Sequence, residues 1–195
     1  HYLLFATRLG LIKKTALSEY VRINRNGKYA LRFKIEGDSL VNVRSATNDH
    51  DIVMISTTGY ASRFNCGAIR ASGRVSGGVY GIKVADRKGS GGGVVAGMVA
   101  MLSSDEHILT ISKYGMAKRS RLGTAQKVQD TDADGNPKVE EDGSPKMVTD
   151  GYRRTKPGAK GVRTMKLDEE HKDSIISVRT IPDINDHLFL LTKSG

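Results

Sequence analysis

The sequence predicts an all-β fold of repeated antiparallel units, and three observations predict it. First, a strand, a tight glycine turn and a second strand recur: Tyr2–Thr15 turns at Gly10, Ile52–Phe64 at Gly59, His107–Ser120 at Gly115, and Leu188–Gly195 opens a fourth copy. Second, a glycine followed by alternating apolar and polar residues returns in each unit, as Gly27–Phe33, Gly78–Val84 and Gly161–Leu167. Third, no long window carries apolar residues at i, i+3 and i+4, the spacing a helical repeat requires.

Each unit closes with a further apolar strand, expected at Ser39–Val43, Val94–Met101 and Ser174–Val178. The turn glycines lie 49, 56 and 80 residues apart. Four strands in about 50 residues is the size of a propeller blade. The reading is therefore a single partial propeller domain over residues 1–195, with blades at 1–49, 50–105 and 106–185 and the start of a further blade at 186–195. The long third spacing comes from an insertion at 125–150. That segment is rich in Asp, Gly and Pro and reads as an exposed excursion, with a small hairpin turning at Asp142-Gly143. The Gly89–Gly93 run reads as a loop between strands.

The chain has 195 residues, 38% of them hydrophobic, with 31 Lys and Arg against 21 Asp and Glu, a net charge of +10. The insertion holds seven acidic residues and three lysines, which leaves 28 basic and 14 acidic residues on the repeats. Polyanions are the partners such a balance favours. One cysteine, Cys66, excludes an internal disulfide and points to a reducing compartment. No run of 18 apolar residues exists, and the apolar start lacks the features of a signal peptide. Because it begins within a strand, it reads as a piece of a longer chain.

The basic residues keep register. Four positions past each turn glycine stand Lys14, Arg63 and Arg119, with Lys13 and Lys118 beside the first and last. Residues at one repeated position point the same way in each blade, so these cations are expected to form an arc around a rim. Further cations fall in the connections that follow: Arg22, Arg25 and Lys28, then Arg70 and Arg74, then Arg121, Arg153, Arg154, Lys156 and Lys160. Glycines among them let backbone N–H groups approach phosphates. Such an arc suits a bent duplex held through its phosphates, with little base readout.

Three stretches resemble the C-terminal domain of the DNA gyrase A subunit: Phe5–Tyr20, Ile69–Arg74 with Gly78–Ile82, and Tyr114–Ser120. The resemblance covers the whole chain except the insertion. It implies a β-propeller-like (β-pinwheel) fold, of which this chain is similar to the middle and later blades. It implies DNA binding and wrapping within a type II topoisomerase that supercoils DNA negatively with ATP. Double-stranded DNA, the remaining domains of the gyrase A subunit and the gyrase B subunit are then the partners, in the bacterial cytoplasm. The resemblance implies no catalysis and no cofactor here, ATP and Mg serving other parts of the enzyme. The family's basic heptapeptide is absent, its nearest counterpart being Lys156–Gly161. The C-terminal domain of topoisomerase IV and a protein-interaction propeller are the alternatives.

One motif competes. Asp130, Asp132, Asp134, Gly135 and Glu141 fit the spacing of a calcium-binding EF-hand loop. Neither flanking helix is present and Pro137 sits inside the loop, so a solvated acidic loop is the preferred reading. The five histidines are scattered, Cys66 has no evident catalytic partner, and no phosphate-binding P-loop exists.

Overall fold

The repeated turn is built by one hydroxyl and one glycine. In the computed structural model, which describes residues 1–22, 24–84, 93–132, 134–181, 185 and 187, Thr7, Ser56 and Ser112 each end a strand. Their buried hydroxyls accept the backbone N–H of Leu11, Tyr60 and Met116 at 3.1, 3.1 and 3.2 Å. Gly10, Gly59 and Gly115 close the turns at φ of +94°, +83° and +86°, a region an L side chain rarely enters. The fourth copy, Leu188–Gly195, lies outside the described residues, as does all of the Gly89–Gly93 run except Gly93.

In chain order the strands are β1 (Tyr2–Thr7), β2 (Leu11–Ala16), β3 (Leu40–Ala46), β4 (Asp51–Ser56), β5 (Tyr60–Asn65), β6 (Val79–Tyr80), β7 (Val95–Met101), β8 (His107–Ser112), β9 (Ala117–Arg121), β10 (Lys127–Gln129), β11 (Met147–Thr149), β12 (Val162–Arg163) and β13 (Ile175–Ile181). Two single 3₁₀ turns, Leu17–Tyr20 and Cys66–Ala68, follow β2 and β5. Among the described residues there is no α-helix.

Three sheets correspond to the three units. Their orders are β3-β1-β2-β6, β7-β4-β5-β12 and β13-β8-β9, every pair antiparallel. The fold is all-β and β-propeller-like. Side-chain alternation divides β4 between two cores. Ile52 and Met54 join Leu4, Ile12 and Met98 between the first and second sheets. Val53 and Ile55 join Val99, Ile108 and Val178 between the second and third. Both faces of the middle sheet are therefore interior, which is why every residue of β4 is buried.

The outermost strands are exchanged. β6 lies in the second unit by sequence but pairs with β2 of the first, Ile12 opposite Val79 and Leu11 opposite Tyr80. β12 lies in the third unit but pairs with β5 of the second, Ala61 opposite Val162 and Tyr60 opposite Arg163. Glycines make the approach possible. A Cβ on Gly78 would stand 2.4 Å from the Ile12 carbonyl oxygen, and one on Gly161 2.1 Å from that of Ala61. The expectation of four strands within each contiguous unit is corrected accordingly. The third sheet has three strands among the described residues, and Gly27–Phe33 is not a strand. Counting along the repeat, Gly27 corresponds to Gly78 and Gly161, so the sheet this segment would join would precede the first.

The insertion forms its own hairpin. β10 pairs with β11, bridges join Thr131 to Pro137 and Val139 to Pro145, and Asp142-Gly143 makes the expected turn. Its neck is closed by Asp150, whose carboxylate accepts the Thr124 N–H at 2.7 Å and hydroxyl at 2.9 Å.

Candidate nucleic-acid interface

The strand cations and the connection cations part company. Arg63 is 2% exposed. Its Nε and Nη2 donate to Asp51 Oδ2 at 2.8 and 2.5 Å, and its Nη1 donates to the carbonyls of Leu122, Gly123 and Tyr152 at 2.8, 2.9 and 2.9 Å. Those three carbonyls belong to the following unit. Lys14 repeats the arrangement one unit earlier. Its Nζ donates to Asn48 Oδ1 at 2.5 Å and to the Cys66 carbonyl at 3.0 Å, and lies 4.3 Å from the centre of the Tyr2 ring. Cys66 and Leu122 occupy one repeat position, as do Tyr2 and Asp51. Lys14 and Arg63 are thus clamps between neighbouring units. Burial also pushes the Cys66 thiol up, with Lys14 opposing.

Lys13 has a different internal task. Its Nζ donates to the carbonyls of Ala30, at 2.5 Å, and Arg74. Burial lowers its pKa to about 8, with Arg74 acting in the same direction and Glu19 against it. At the same repeat position Ser62 Oγ donates to the Gly81 carbonyl at 3.1 Å and Lys118 Nζ to that of Thr164 at 2.7 Å. Ser62 and Lys118 thus hold the segments that leave the exchanged strands β6 and β12, and Lys13 holds the corresponding segment at Ala30. The expected arc through Lys14, Arg63 and Arg119 is therefore corrected at Lys14 and Arg63, and Lys13 beside the first is buried as well. The register is shared, but it points these cations into the joints between stacked sheets. Arg119 alone of the three clamp positions is exposed, and no unit among the described residues covers it.

The connection cations do face solvent. Arg22, Arg25, Arg70, Arg153, Lys156 and Lys160 are exposed, while Lys28 and Arg74 are half-buried. Arg70 and Arg74 lie on the segment leading into β6. Arg153, Arg154, Lys156 and Lys160 lie on the one leading into β12. Both segments run along the outer edge of a sheet, tied there by Ser72 N–H to the Lys14 carbonyl at 2.8 Å and Thr155 N–H to that of Arg63 at 2.7 Å. The turn at Lys156–Lys160 then joins the two edges, through Gly158 N–H to the Gly81 carbonyl and Lys83 N–H to the Ala159 carbonyl, each at 3.0 Å.

Two of the expected cations are partly committed. Arg154 pairs with Asp51 at 3.1 Å, and Arg121 with Asp105 at 2.5 Å and Asp150 at 3.7 Å. Arg22, Arg25, Arg70, Arg74, Arg153, Lys156 and Lys160 have no carboxylate within ion-pair distance among the described residues. Sequence reasoning missed Tyr60 and Arg163, which extend the same edge. Lys160 Nζ lies 4.5 Å and the Arg163 guanidinium 5.7 Å from the centre of the Tyr60 ring. The Arg163 hydrogen bond at 3.4 Å and the nearby Lys160 hold the Tyr60 phenol below its ordinary pKa. The pairing of Tyr60 with Arg163 across β5 and β12 could not be found without knowing that strands are exchanged.

The calcium-type carboxylates are not gathered. Asp130 pairs with Lys138 at 3.4 Å, and both oxygens of Asp132 are taken by Asn136, from its N–H at 2.9 Å and its Nδ2 at 3.2 Å. Among the described residues no group of three or more His, Cys, Asp or Glu side chains could hold a metal ion. Likewise among these residues, no helix is long and apolar enough to cross a membrane.

Stacked antiparallel sheets with exchanged outer strands define a β-propeller-like domain, and its outer edge carries exposed cations. A family model described as DNA gyrase C-terminal domain, beta-propeller, matches residues 1–47, 50–90 and 146–182, and the chain belongs to that family. The DNA gyrase A subunit of Staphylococcus epidermidis is 30% identical over 195 residues, and that of Staphylococcus aureus 29%. Each match covers all of this chain, which spans 18% of the relative's length. A crystal structure of the C-terminal domain of DNA topoisomerase IV matches with a TM-score of 0.59 at 21% identity, covering 92% of this chain and 61% of that one. A DNA gyrase A C-terminal domain matches with a TM-score of 0.54 at 20% identity, covering 92% and 65%. At these identities the two structures speak to the fold.

Proposed function

We propose that this chain binds duplex DNA and wraps it as part of a gyrase A subunit. One observation carries the reading: the cations left without carboxylate partners collect on the connections along the outer sheet edges, Arg70 and Arg74 on one and Arg153, Lys156 and Lys160 on the next. Cations at the edges of successive sheets meet a duplex at successive phosphates. Each neutralised phosphate releases counterions and adds roughly −0.9 to the slope of log affinity against log salt. Several such contacts offset the roughly 1–6 kcal/mol that bending a short duplex costs. The glycines at 158 and 161 bring backbone close to the same edge. No base-reading helix is present among the described residues, so sequence preference would come from deformability.

In this role the chain performs no catalysis itself. The cleavage and ATP-driven steps, with their Mg, belong to the rest of the gyrase A subunit and to the gyrase B subunit, and the whole acts on the chromosome in the bacterial cytoplasm. The test is duplex binding across a salt series, with and without Arg153→Ala, Lys156→Ala and Lys160→Ala together. The slope is expected to become shallower by about 2.7, three contacts' worth. An unchanged slope would remove the outer edge from the DNA interface.

A further inference from the structure

One corner of the outer edge departs from the repeat. Counted from the turn glycines and the glycines that open the exchanged strands, Tyr60, Lys160 and Arg163 occupy the positions that Leu11, Gly77 and Tyr80 hold one sheet earlier. The earlier set is a buried leucine, a glycine and an uncharged ring. In the second sheet the same positions gather a phenol, an ammonium and a guanidinium, with Lys160 Nζ 4.5 Å and the Arg163 guanidinium 5.7 Å from the centre of the Tyr60 ring. Register accounts for Lys14 and Arg63 as clamps; it does not account for this set.

The backbone under the three groups is held on every side. Ser56 Oγ accepts the Tyr60 N–H at 3.1 Å. Lys160 ends the turn that Gly158 and Ala159 tie to the first sheet, and Arg163 lies on β12, paired with β5. What the side chains lack is an acceptor. The Tyr60 oxygen already accepts from Arg163 at 3.4 Å, which leaves its own proton to donate. Lys160 and Arg163 are exposed, and among the described residues neither has a carboxylate within ion-pair distance or donates to a carbonyl. Glu169 acts on Arg163 through space only. Three donors, two of them charged, thus stand together without a group to receive them.

We propose that Tyr60, Lys160 and Arg163 form a seat for one backbone phosphate of the duplex, with Tyr60 as its positioning residue. The inference rests on the DNA-binding reading above and adds a defined contact to it. A phosphodiester supplies acceptor oxygens for all three donors, and its bonds to the ammonium and guanidinium are charge-assisted. Tyr60 brings no charge. Its ring lies beside both cations and its oxygen holds the guanidinium, so less side-chain freedom is lost when the phosphate arrives. The seat stands at the β12 end of the connection that starts at Arg153, so the duplex is held along the whole of that edge.

Duplex binding across a salt series tests the seat. Arg163→Ala should make the slope shallower by about 0.9, one contact's worth. Tyr60→Phe removes no charge, so it should keep the slope and weaken binding about fivefold, the ordinary worth of a hydrogen bond. The two together should cost less than the sum of the separate losses, because Tyr60 acts partly through Arg163. Tyr60→Phe keeps the ring and Arg163 is exposed, so both variants are expected to keep the wild-type circular dichroism. Fluorine NMR of fluorotyrosine-labelled protein, with Tyr60→Phe assigning the signal, gives a readout that a merely structural pair would not move. A bound phosphate offsets the cations that hold the phenol low, so saturating duplex should raise the Tyr60 pKa, and inorganic phosphate at the same phosphate concentration should not. A slope unchanged by Arg163→Ala, or a Tyr60 pKa that duplex leaves in place, overturns the seat while wild-type binding keeps the DNA reading standing. An equal response to inorganic phosphate overturns the assignment to a backbone phosphate. A wild-type chain that binds no duplex at low salt overturns both.

Discussion

Replacing Arg63 by alanine separates a clamp from a DNA contact. The side chain is 2% exposed and makes two hydrogen bonds to Asp51 and three to carbonyls of the next unit. Removing one member of a buried ion pair costs about 3–5 kcal/mol, because the other charge stays behind. Arg154 keeps a partial hold on Asp51 at 3.1 Å, but Asp51 Oδ1 already lacks a hydrogen-bond partner. The three carbonyls lose a shared donor at a joint between cores, so the middle of that range is a fair figure. At a urea dependence of roughly 2 kcal/mol per molar, a loss of about 4 kcal/mol lowers the midpoint by about 2 M. That is a large share of the 5–15 kcal/mol typical of a domain. Arg153→Ala, on the exposed edge, should change stability by no more than about 0.5 kcal/mol. The assay pairs urea unfolding with duplex binding under conditions where both variants are folded. Arg63→Ala should lose midpoint and keep its salt slope; Arg153→Ala should do the reverse. If Arg63→Ala melted like the wild type and bound DNA with a shallower slope, the clamp reasoning would be wrong.

Three other expectations follow from the same geometry. Gly161→Ala puts a Cβ 2.1 Å from the Ala61 carbonyl oxygen at φ of +87°, so β12 should detach at a cost of about 1–3 kcal/mol, read as faster amide exchange in β5 and β12. The Lys13 pKa falls from 10.5 unfolded to about 8 folded, so the unfolded chain binds more protons between those values and stability should rise with pH across the window. That rise should vanish in Lys13→Met, and a wild-type urea midpoint that fell from pH 8 to 10.5 would refute the assignment. Calcium should leave the melting temperature unchanged, since Asp130 and Asp132 are engaged by Lys138 and Asn136; a calcium-dependent increase would show that the insertion can rearrange into a site.

The strand pairs and their turns were legible because each is local. The Thr7-to-Gly10 turn and its repeats need only a hydroxyl and a glycine three residues apart, and the flanking alternation is visible in a short window. The exchanged strands were not legible in the same way. Alternation in Gly78–Val84 says that one face is buried; it does not say which sheet supplies the partner. Nothing near Val79 in sequence points to Ile12. The insertion's turn at Asp142-Gly143 was visible, while its β10–β11 ladder, made of Lys127–Gln129 and Met147–Thr149, carries no strong pattern.

The site was half legible, and the half that failed has a physical cause. Lys14, Arg63 and Arg119 do share a register, as their spacing from the turn glycines required. The step from shared register to exposed rim assumed that one face of each sheet meets water. Where a neighbouring sheet stacks on the strand that face does not, so a cation in the middle of β2 or β5 must find carbonyls or a carboxylate inside the joint. Asp51, an acid opening the apolar run Ile52–Ile55, was the sequence signal for that. It is the group a buried Arg63 needs, and Tyr2 at the same position serves Lys14 as a ring instead. Arg70, Arg153, Lys156 and Lys160 escape this constraint because they sit past the second strand of their units on the exposed outer edge, whereas Arg154 there still reaches Asp51. Lys14 and Arg63, on strands covered by a neighbouring sheet, therefore hold sheets together, whereas Arg119 on the uncovered β9 and Arg70, Arg153, Lys156 and Lys160 on the connections stay exposed.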